Sequence, residues 1–225
     1  MSLIGKAWSY YRENGLVELT HRIHRRRRFS VYVKDVTRSV APPADDQDIT
    51  FRVAAAGQEG LVAQGLTHWG DRGEQAIGNL MRQGDLAVVG VTTAQPPKVA
   101  FVSWLSRRDG LLLTLHGQDP PPGEVCSRRI WVPEPFRRHG YARRGLVFLD
   151  RAALQAGYQR IWAFVIRGNV ASCRLHERMG YDEYGVLRLG RRFGRRFAER
   201  RLVGQRRWQP LKPWDPDASA SDAEA

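Results

Sequence analysis

The apolar positions of this chain change period several times, and each change marks an element. Residues 2–13 place Leu3, Ile4, Ala7, Trp8 and Tyr11 at helical spacing and stop at Asn14 and Gly15, a helix-end signal. A second helical pattern runs from Leu16 through Leu19 and Ile23 into the arginines 25–28. Residues 29–36 then alternate with period two, as a strand does, and Ala41, Pro42 and Pro43 read as a linker. Residues 49–55 predict another strand, and residues 59–82 are helical with a break near Gly70 and Gly73. Apolar strands follow at 86–92 and 99–105, joined by a Pro-Pro turn, then at 111–115 and 125–132, separated by a Pro- and Gly-rich loop at 120–123. A helix over 138–156 presents Leu146, Leu149, Ala153 and Leu154 on one face. It is followed by a strand at 160–166, a helix at 169–179 and a strand at 184–189. Residues 190–212 fit either a closing strand or a basic helix, and the polar end of the chain predicts disorder.

Composition narrows the class. Hydrophobic content of 42% and charged content of 26% suit a soluble globular domain with extensions. No apolar run approaches the roughly eighteen residues of a membrane span. Leu3 and Ile4 are followed at once by Lys6 and Arg12, so a secretory leader is not expected and the cytoplasm is the simplest location. Cys126 and Cys173 form neither a disulfide framework nor a zinc pattern, and no metal is expected.

The net charge of +13 is unevenly placed. Residues 1–40 carry nine Lys/Arg against three Asp/Glu, and residues 188–212 carry ten against one. The stretch between them is nearly neutral. Three readings suit such flanks: solvated faces packed on the domain, docking of residues 1–40 to the anionic inner face of a membrane, and RNA binding through arginines interleaved with Phe193, Phe197 and Trp208. The solvated faces are the simplest of the three, and nucleic acid the least direct.

The densest chemistry lies in residues 132–142, V-P-E-P-F-R-R-H-G-Y-A. An apolar strand ends at Pro133, an arginine-rich turn follows, and Gly140 stands where a helix begins. The first turn of a helix leaves backbone N–H groups unpaired at the positive end of the macrodipole, which makes it an anion site. Gly140 and Ala142 keep the approach open, while Arg137, Arg138, Arg143 and Arg144 add charge. The stretch matches neither G-x-G-x-x-G nor G-x-x-x-x-G-K-[ST].

This stretch resembles the acetyl-CoA-binding motif of the GNAT superfamily of N-acetyltransferases, R-x-x-G-x-G/A after a strand, with Ala142 at the second glycine. A second stretch, N-V-A-S-C-R-L-H-E-R-M-G-Y at residues 169–181, is similar to that family's N-x-x-S-x-x-L-[YH]-E-x-x-G-[FY] helix, in the local form seen in phosphinothricin-type enzymes. The resemblance implies an α/β (α+β) GNAT fold, with a mixed, mostly antiparallel sheet of six to seven strands flanked by helices. It places the enzyme domain at residues 45–205, after a basic helical extension at 1–44 and before a tail at 206–225.

The resemblance further implies direct transfer of an acetyl group from acetyl-CoA, the co-substrate, to a primary amine on an amino sugar or another polar metabolite. Alternatives are a protein amine as acceptor, or a non-catalytic acyl-CoA-binding adaptor docked to an anionic surface. The cofactor would lie against Ile130, Trp131 and Val132 at the strand end, with Val132 as an oxyanion donor. Arg137, Arg138, His139, Gly140, Tyr141, Ala142 and Arg143 would surround its pyrophosphate, and Asn169 and Ser172 would contact it from the second motif. Asn169 also suits a plain helix N-cap.

His176 falls where the family places the acid that protonates the departing thiolate. Tyr181 or Tyr184 could supply that proton instead. Glu134 and Glu124 flank the strand without occupying the family's usual base position, which leaves Glu134, His116 or a water relay as candidates. Arg128 and Arg129 suit either an anionic acceptor or pairing with acids, and Cys126 reads as a small buried residue.

Overall fold

In the computed structural model, which describes residues 26–38, 48–66, 73–192 and 195–213, nine strands form one sheet. The strands are β1 (Arg26–Asp35), β2 (Ile49–Val53), β3 (Leu86–Thr92), β4 (Val99–Ser106), β5 (Glu124–Trp131), β6 (Arg160–Ile166), β7 (Asp182–Arg192), β8 (Arg195–Leu202) and β9 (Gln209–Leu211). Their spatial order is β2-β3-β4-β5-β6-β1-β7-β8-β9. Only β5 and β6 pair in parallel; the other neighbours are antiparallel. The sheet thus exceeds the expected six to seven strands while keeping the expected mixed, mostly antiparallel character. The helices are α1 (Glu59–Gly65), α2 (Gly73–Arg82), α3 (Gly110–His116), α4 (Tyr141–Gln155) and α5 (Val170–Arg178).

Much of the extra width comes from β1. Residues 26–35, assigned on the sequence to the N-terminal extension, lie inside the sheet and pair along β6 on one side and β7 on the other. Their alternation serves both faces. Phe29 and Val31 pack with Leu112, Leu115, Trp162 and Leu187 on the α3 side. Tyr32 joins Leu146, Leu149 and Ala153 of α4 on the opposite side. Arg26, Arg27 and Arg28, read as the end of a helical pattern, are strand residues. The helical patterns proposed over 2–13 and 16–25 lie outside the described residues.

Two local readings are corrected. Residues 111–115, expected as a strand, belong to α3. Asp109 caps its start, with Oδ1 accepting from the N–H groups of Leu111 and Leu112, and Gly117 at φ 72° ends it. A run of leucines carries neither period clearly, so the caps decide. The ambiguous stretch 190–212 is strand: β7 and β8 form a hairpin, and β9 adds an edge at residues 209–211, within the segment assigned to the tail. Among the described residues no helix is long and apolar enough to cross a membrane.

α4 lies on the sheet through a close approach at Gly145, where an added Cβ would sit 2.4 Å from the ring of Phe101. A buried ion pair fixes the same helix to β1. Lys34 Nζ donates to Asp150 Oδ2 at 2.6 Å, and the Tyr181 hydroxyl donates to Oδ1 at 3.2 Å. Asp150 is 1% exposed. Burial pushes its carboxyl above the usual range, opposed by the lysine and the tyrosine. Removing one partner of a buried pair leaves the other charge uncompensated and costs about 3–5 kcal/mol. Asp150→Ala is therefore expected to lower Tm by roughly 10 °C, and Lys34→Met with Asp150→Leu to recover most of the loss. Calorimetry on the three proteins checks this; an unchanged Tm in Asp150→Ala would show that the pair is not holding α4.

Candidate active site

The parallel ladder of β5 and β6 is short. It runs from Glu124 opposite Arg160 to Ser127 opposite Ala163 and then stops. On its other side β5 keeps pairing with β4, but through a bulge: Trp104 faces Arg128 and Val102 faces Trp131, so three steps on β5 span two on β4. Arg129 takes up the difference at φ 57°, a left-handed conformation that a bulky residue rarely holds. Beyond Ser127 the two strands part, and a cleft of about 590 Å³ opens between them. Ser172 and His176 of α5 line it from one face of the sheet, and Asp109 and Leu111 from the other.

His176 is 2% exposed. Its Nδ1 lies 2.7 Å from the Ser172 carbonyl, and a carbonyl only accepts, so Nδ1 carries the ring proton. Nε2 is then the lone-pair nitrogen, buried and without a hydrogen-bond partner among the described residues. Tyr32 stacks on the ring at 5.7 Å and Tyr181 meets it edge-on at 5.1 Å. Burial holds its pKa below the ordinary 6.5, against the Ser172 contact. Near neutral pH the ring is thus uncharged and keeps its lone pair on the buried Nε2, whereas the sequence reading began from an imidazolium donor.

The other proton-transfer candidates are placed differently. Tyr181 is buried with its hydroxyl on Asp150, and burial raises its pKa well above the ordinary value, so it supports the His176 ring from behind. Glu134 is exposed at the start of a short 3-10 turn, Glu134–Phe136, outside the cleft lining. Glu124 is buried and committed: its carboxylate accepts from Trp162 Nε1 at 2.7 Å and Arg160 Nη1 at 3.0 Å, with His116 Nε2 at 3.1 Å. Tyr184 packs edge-on against Trp162. The Cys126 thiol lies in the cleft wall, and burial pushes its pKa well up, which keeps it a thiol.

After β5 the chain makes the turn that leads into α4, and none of its residues is among those lining the cleft. Arg138 at φ 69° and Gly140 at φ 77° are both left-handed. An added Cβ at Gly140 would meet nothing within 4 Å, so the backbone angle, not crowding, calls for glycine here. No side chain caps the helix start, which leaves its first N–H groups open to an anion. Arg137 lies over the Trp131 ring at 5.4 Å and donates from Nε to the Val132 carbonyl. His139 stacks on Tyr141 at 5.6 Å. Arg138 and Arg143 are exposed, and Ala142, Ile130 and Val132 are half-buried. At the start of α5, Asn169 Oδ1 accepts from Ser172 N at 3.2 Å, so its side chain serves as the cap.

Sequence reasoning missed Asp48. Its carboxylate accepts from the Tyr141 hydroxyl at 2.9 Å and from Arg144 Nη1 at 2.8 Å, which ties the first turn of α4 to the start of β2. Nothing local signals a contact spanning more than ninety residues. It also missed Asp109 and Tyr32; for Asp109 the signal was there, an acid directly before a capped apolar run.

The Arg144 and Tyr141 contacts hold the Asp48 carboxyl down at about 2. A depressed carboxyl contributes stability above its unfolded value near 4 and loses it as pH falls toward 2. Because Asp48 is largely exposed, the contribution is at most about 1 kcal/mol. Asp48→Ala should therefore lower Tm by no more than about 4 °C at pH 7, and the difference should vanish between pH 4 and pH 2. Paired melting curves across that range would show it.

Residues 73–181 match the family described as Acetyltransferase (GNAT) family. Over 76 residues the chain is 30% identical to an uncharacterised N-acetyltransferase, YycN, of Bacillus subtilis, a match covering 33% of this chain and 49% of that protein. Among solved structures, a GCN5-related N-acetyltransferase from Sphaerobacter thermophilus superposes with TM-score 0.55 at 16% identity, over 80% of this chain and 57% of the other. One from Kribbella flavida gives TM-score 0.53 at 14% identity, over 79% and 64%. At these identities the likeness is one of fold. The chain spans about half the length of the curated relative it matches, and under two thirds of each of these structures.

Proposed function

We propose that this chain, whose residues 73–181 match the GNAT acetyltransferase family, moves an acetyl group from acetyl-CoA to a primary amine. The observation that carries this reading is the cleft between β5 and β6, lined by Ser172 and His176, beside the strand that leads on into the uncapped start of α4. The residues present fit the cofactor. The open N–H groups of the first turn of α4, with Arg137, Arg138 and Arg143 around them, suit a pyrophosphate. The β5 edge over Ile130, Trp131 and Val132, released from β6, suits the amides of an extended arm that adds to it as a strand. The bound thioester supplies the acyl group.

His176 is the proton-handling residue in this scheme. Nε2 takes the proton of the incoming ammonium, directly or through a water. The imidazolium so formed, kept in place by the Nδ1–H to Ser172 bond, is the source of a proton for the leaving sulfur. One nitrogen thus serves as base and then as acid, and the second proton that the attacking nitrogen sheds as the amide forms passes to water. Tyr32 and Tyr181 keep the ring dry and aligned, which is the condition for such a transfer. An amino sugar or another small polar amine suits a cleft of this volume.

Thermal unfolding with acetyl-CoA, CoA and NAD tests the premise. At one hundred times the dissociation constant, binding adds about 2.7 kcal/mol, a rise on the order of 5–10 °C. The rise is expected with both CoA species, not with NAD, and not in Gly140→Trp. No rise with either CoA species would end this reading, whereas a rise without acetylation of any amine in a broad panel would favour a non-catalytic acyl-CoA-binding domain. The His176 assignment has its own signature. The rate should fall on the acid side with an apparent pKa below 6.5, since a base whose pKa is lowered by burial stays active until the pH passes beneath that value. His176→Gln should lose that limb and roughly 10²–10⁴-fold in kcat. A pH profile of unchanged shape in the variant would assign the proton transfer to another group.

A further inference from the structure

We propose that the acceptor amine of this cleft carries an anionic group, a carboxylate or a phosphate, near the nitrogen that is acylated; the proposal rests on the acetyl-transfer reading above. The evidence is the charge on the α3 side. Arg27, Arg128 and Arg129 all line the cleft, and Asp109 is the one carboxylate among its described lining residues. Asp109 is already engaged at both oxygens: Oδ1 caps α3, and Oδ2 lies 3.3 Å from Arg128 Nη1. A second acid, Asp85, is buried behind the wall, and its charge acts on both Arg128 and Arg129. Even with both acids ionised, three guanidinium groups stand against two carboxylates, and with His176 neutral the lining is cationic.

The bulge concentrates this charge. Consecutive residues of a regular strand point to opposite faces. With Arg129 in the left-handed conformation, the side chains of Arg128 and Arg129 both come under the field of Asp85 and Asp109. A bulky residue held at positive φ beside a cleft is the kind of strain that persists where it serves a site. The cationic character also continues outward. Arg27 faces Leu189 across the β1–β7 pairing, and two residues further along the same face of β7, Arg191 faces Arg196 of β8.

Such a lining has two effects on an amine. It disfavours the ammonium form, lowering the amine's pKa and raising the fraction able to attack, so less is asked of the base. It also repels polycations and holds an acceptor whose own anionic group pairs with a guanidinium, a geometry that arginine presents bidentately. A carboxylate and a phosphate ester answer equally to this chemistry.

Two matched pairs of probes test the proposal by calorimetric titration of the CoA-saturated protein: glucosamine 6-phosphate against glucosamine, and L-serine against L-serinamide. The member bearing the carboxylate or phosphate should, in at least one pair, bind about tenfold or more tightly than its partner without that group, the gain of one charge-assisted bidentate contact. That preference should shrink with added salt and be lost in Arg27→Gln/Arg129→Gln, while spermidine should not compete. Equal binding within both pairs, tighter binding of the members that lack the anionic group, or a preference that survives in the doubly substituted protein would overturn it. The comparison within each pair uses the unsubstituted protein, so it stands even if the variant misfolds. Failure here would leave both the CoA-dependent thermal shift and the acetylation of amines intact, whereas failure of the acetyl-transfer reading would remove the shift or leave it without acetylation of any amine.

Discussion

Everything that gives this protein a site depends on the parting of two parallel strands after four paired residues. A sheet does not open in its middle without cost, because the released N–H and C=O groups lose their ladder partners. Here the cost on β6 is limited from the far side. β1 pairs with β6 along its whole length, from Asp35 opposite Arg160 to Phe29 opposite Ile166, so the half of β6 that leaves β5 is still held in a sheet. On the other wall, β5 stays attached to β4 through the bulge at Arg129. The cleft is the gap between two half-sheets that are each well paired.

The helices keep the gap from closing and give its two openings different character. On the α4–α5 side, Gly145 lets α4 lie directly on Phe101, and the Lys34–Asp150–Tyr181 contacts lock the helix to β1 and to the chain after α5. Burial there leaves His176 uncharged with a lone pair to offer. On the α3 side the groups are charged, and arginine outnumbers acid. Desolvation governs the groups on one face of the cleft and Coulomb interactions those on the other.

The extent to which this was readable from the residues follows the range of the forces involved. The strand-turn-helix at residues 124–155 and the helix at 170–178 were legible because their determinants are local: Pro133 after an apolar run, a left-handed Gly140 before a helix, Asn169 in position to cap. The order of the two motifs put Ser172 and His176 after that turn in the chain, and the fold sets both on the cleft between β5 and β6. Tyr181 and Glu134 read as candidates because they neighbour those motifs, yet one faces Asp150 and the other faces solvent. Which way a side chain points within a motif depends on what packs against it.

By itself, the sequence determined where most strands and helices lie and which helix starts without a side-chain cap, because periodicity, capping and backbone angle act within a few residues. Only the tertiary structure decided that residues 26–35 enter the sheet between β6 and β7, that Asp48 fastens the start of α4, and that a leucine run becomes the helix α3. It also decided that Arg128 and Arg129 share one pair of acids across the bulge, and that His176, a residue of the cleft wall, keeps Nε2 as its unprotonated nitrogen. Each of these is a choice among distant partners, settled by which edge is open and which charge is buried, and no short stretch of chain carries that information.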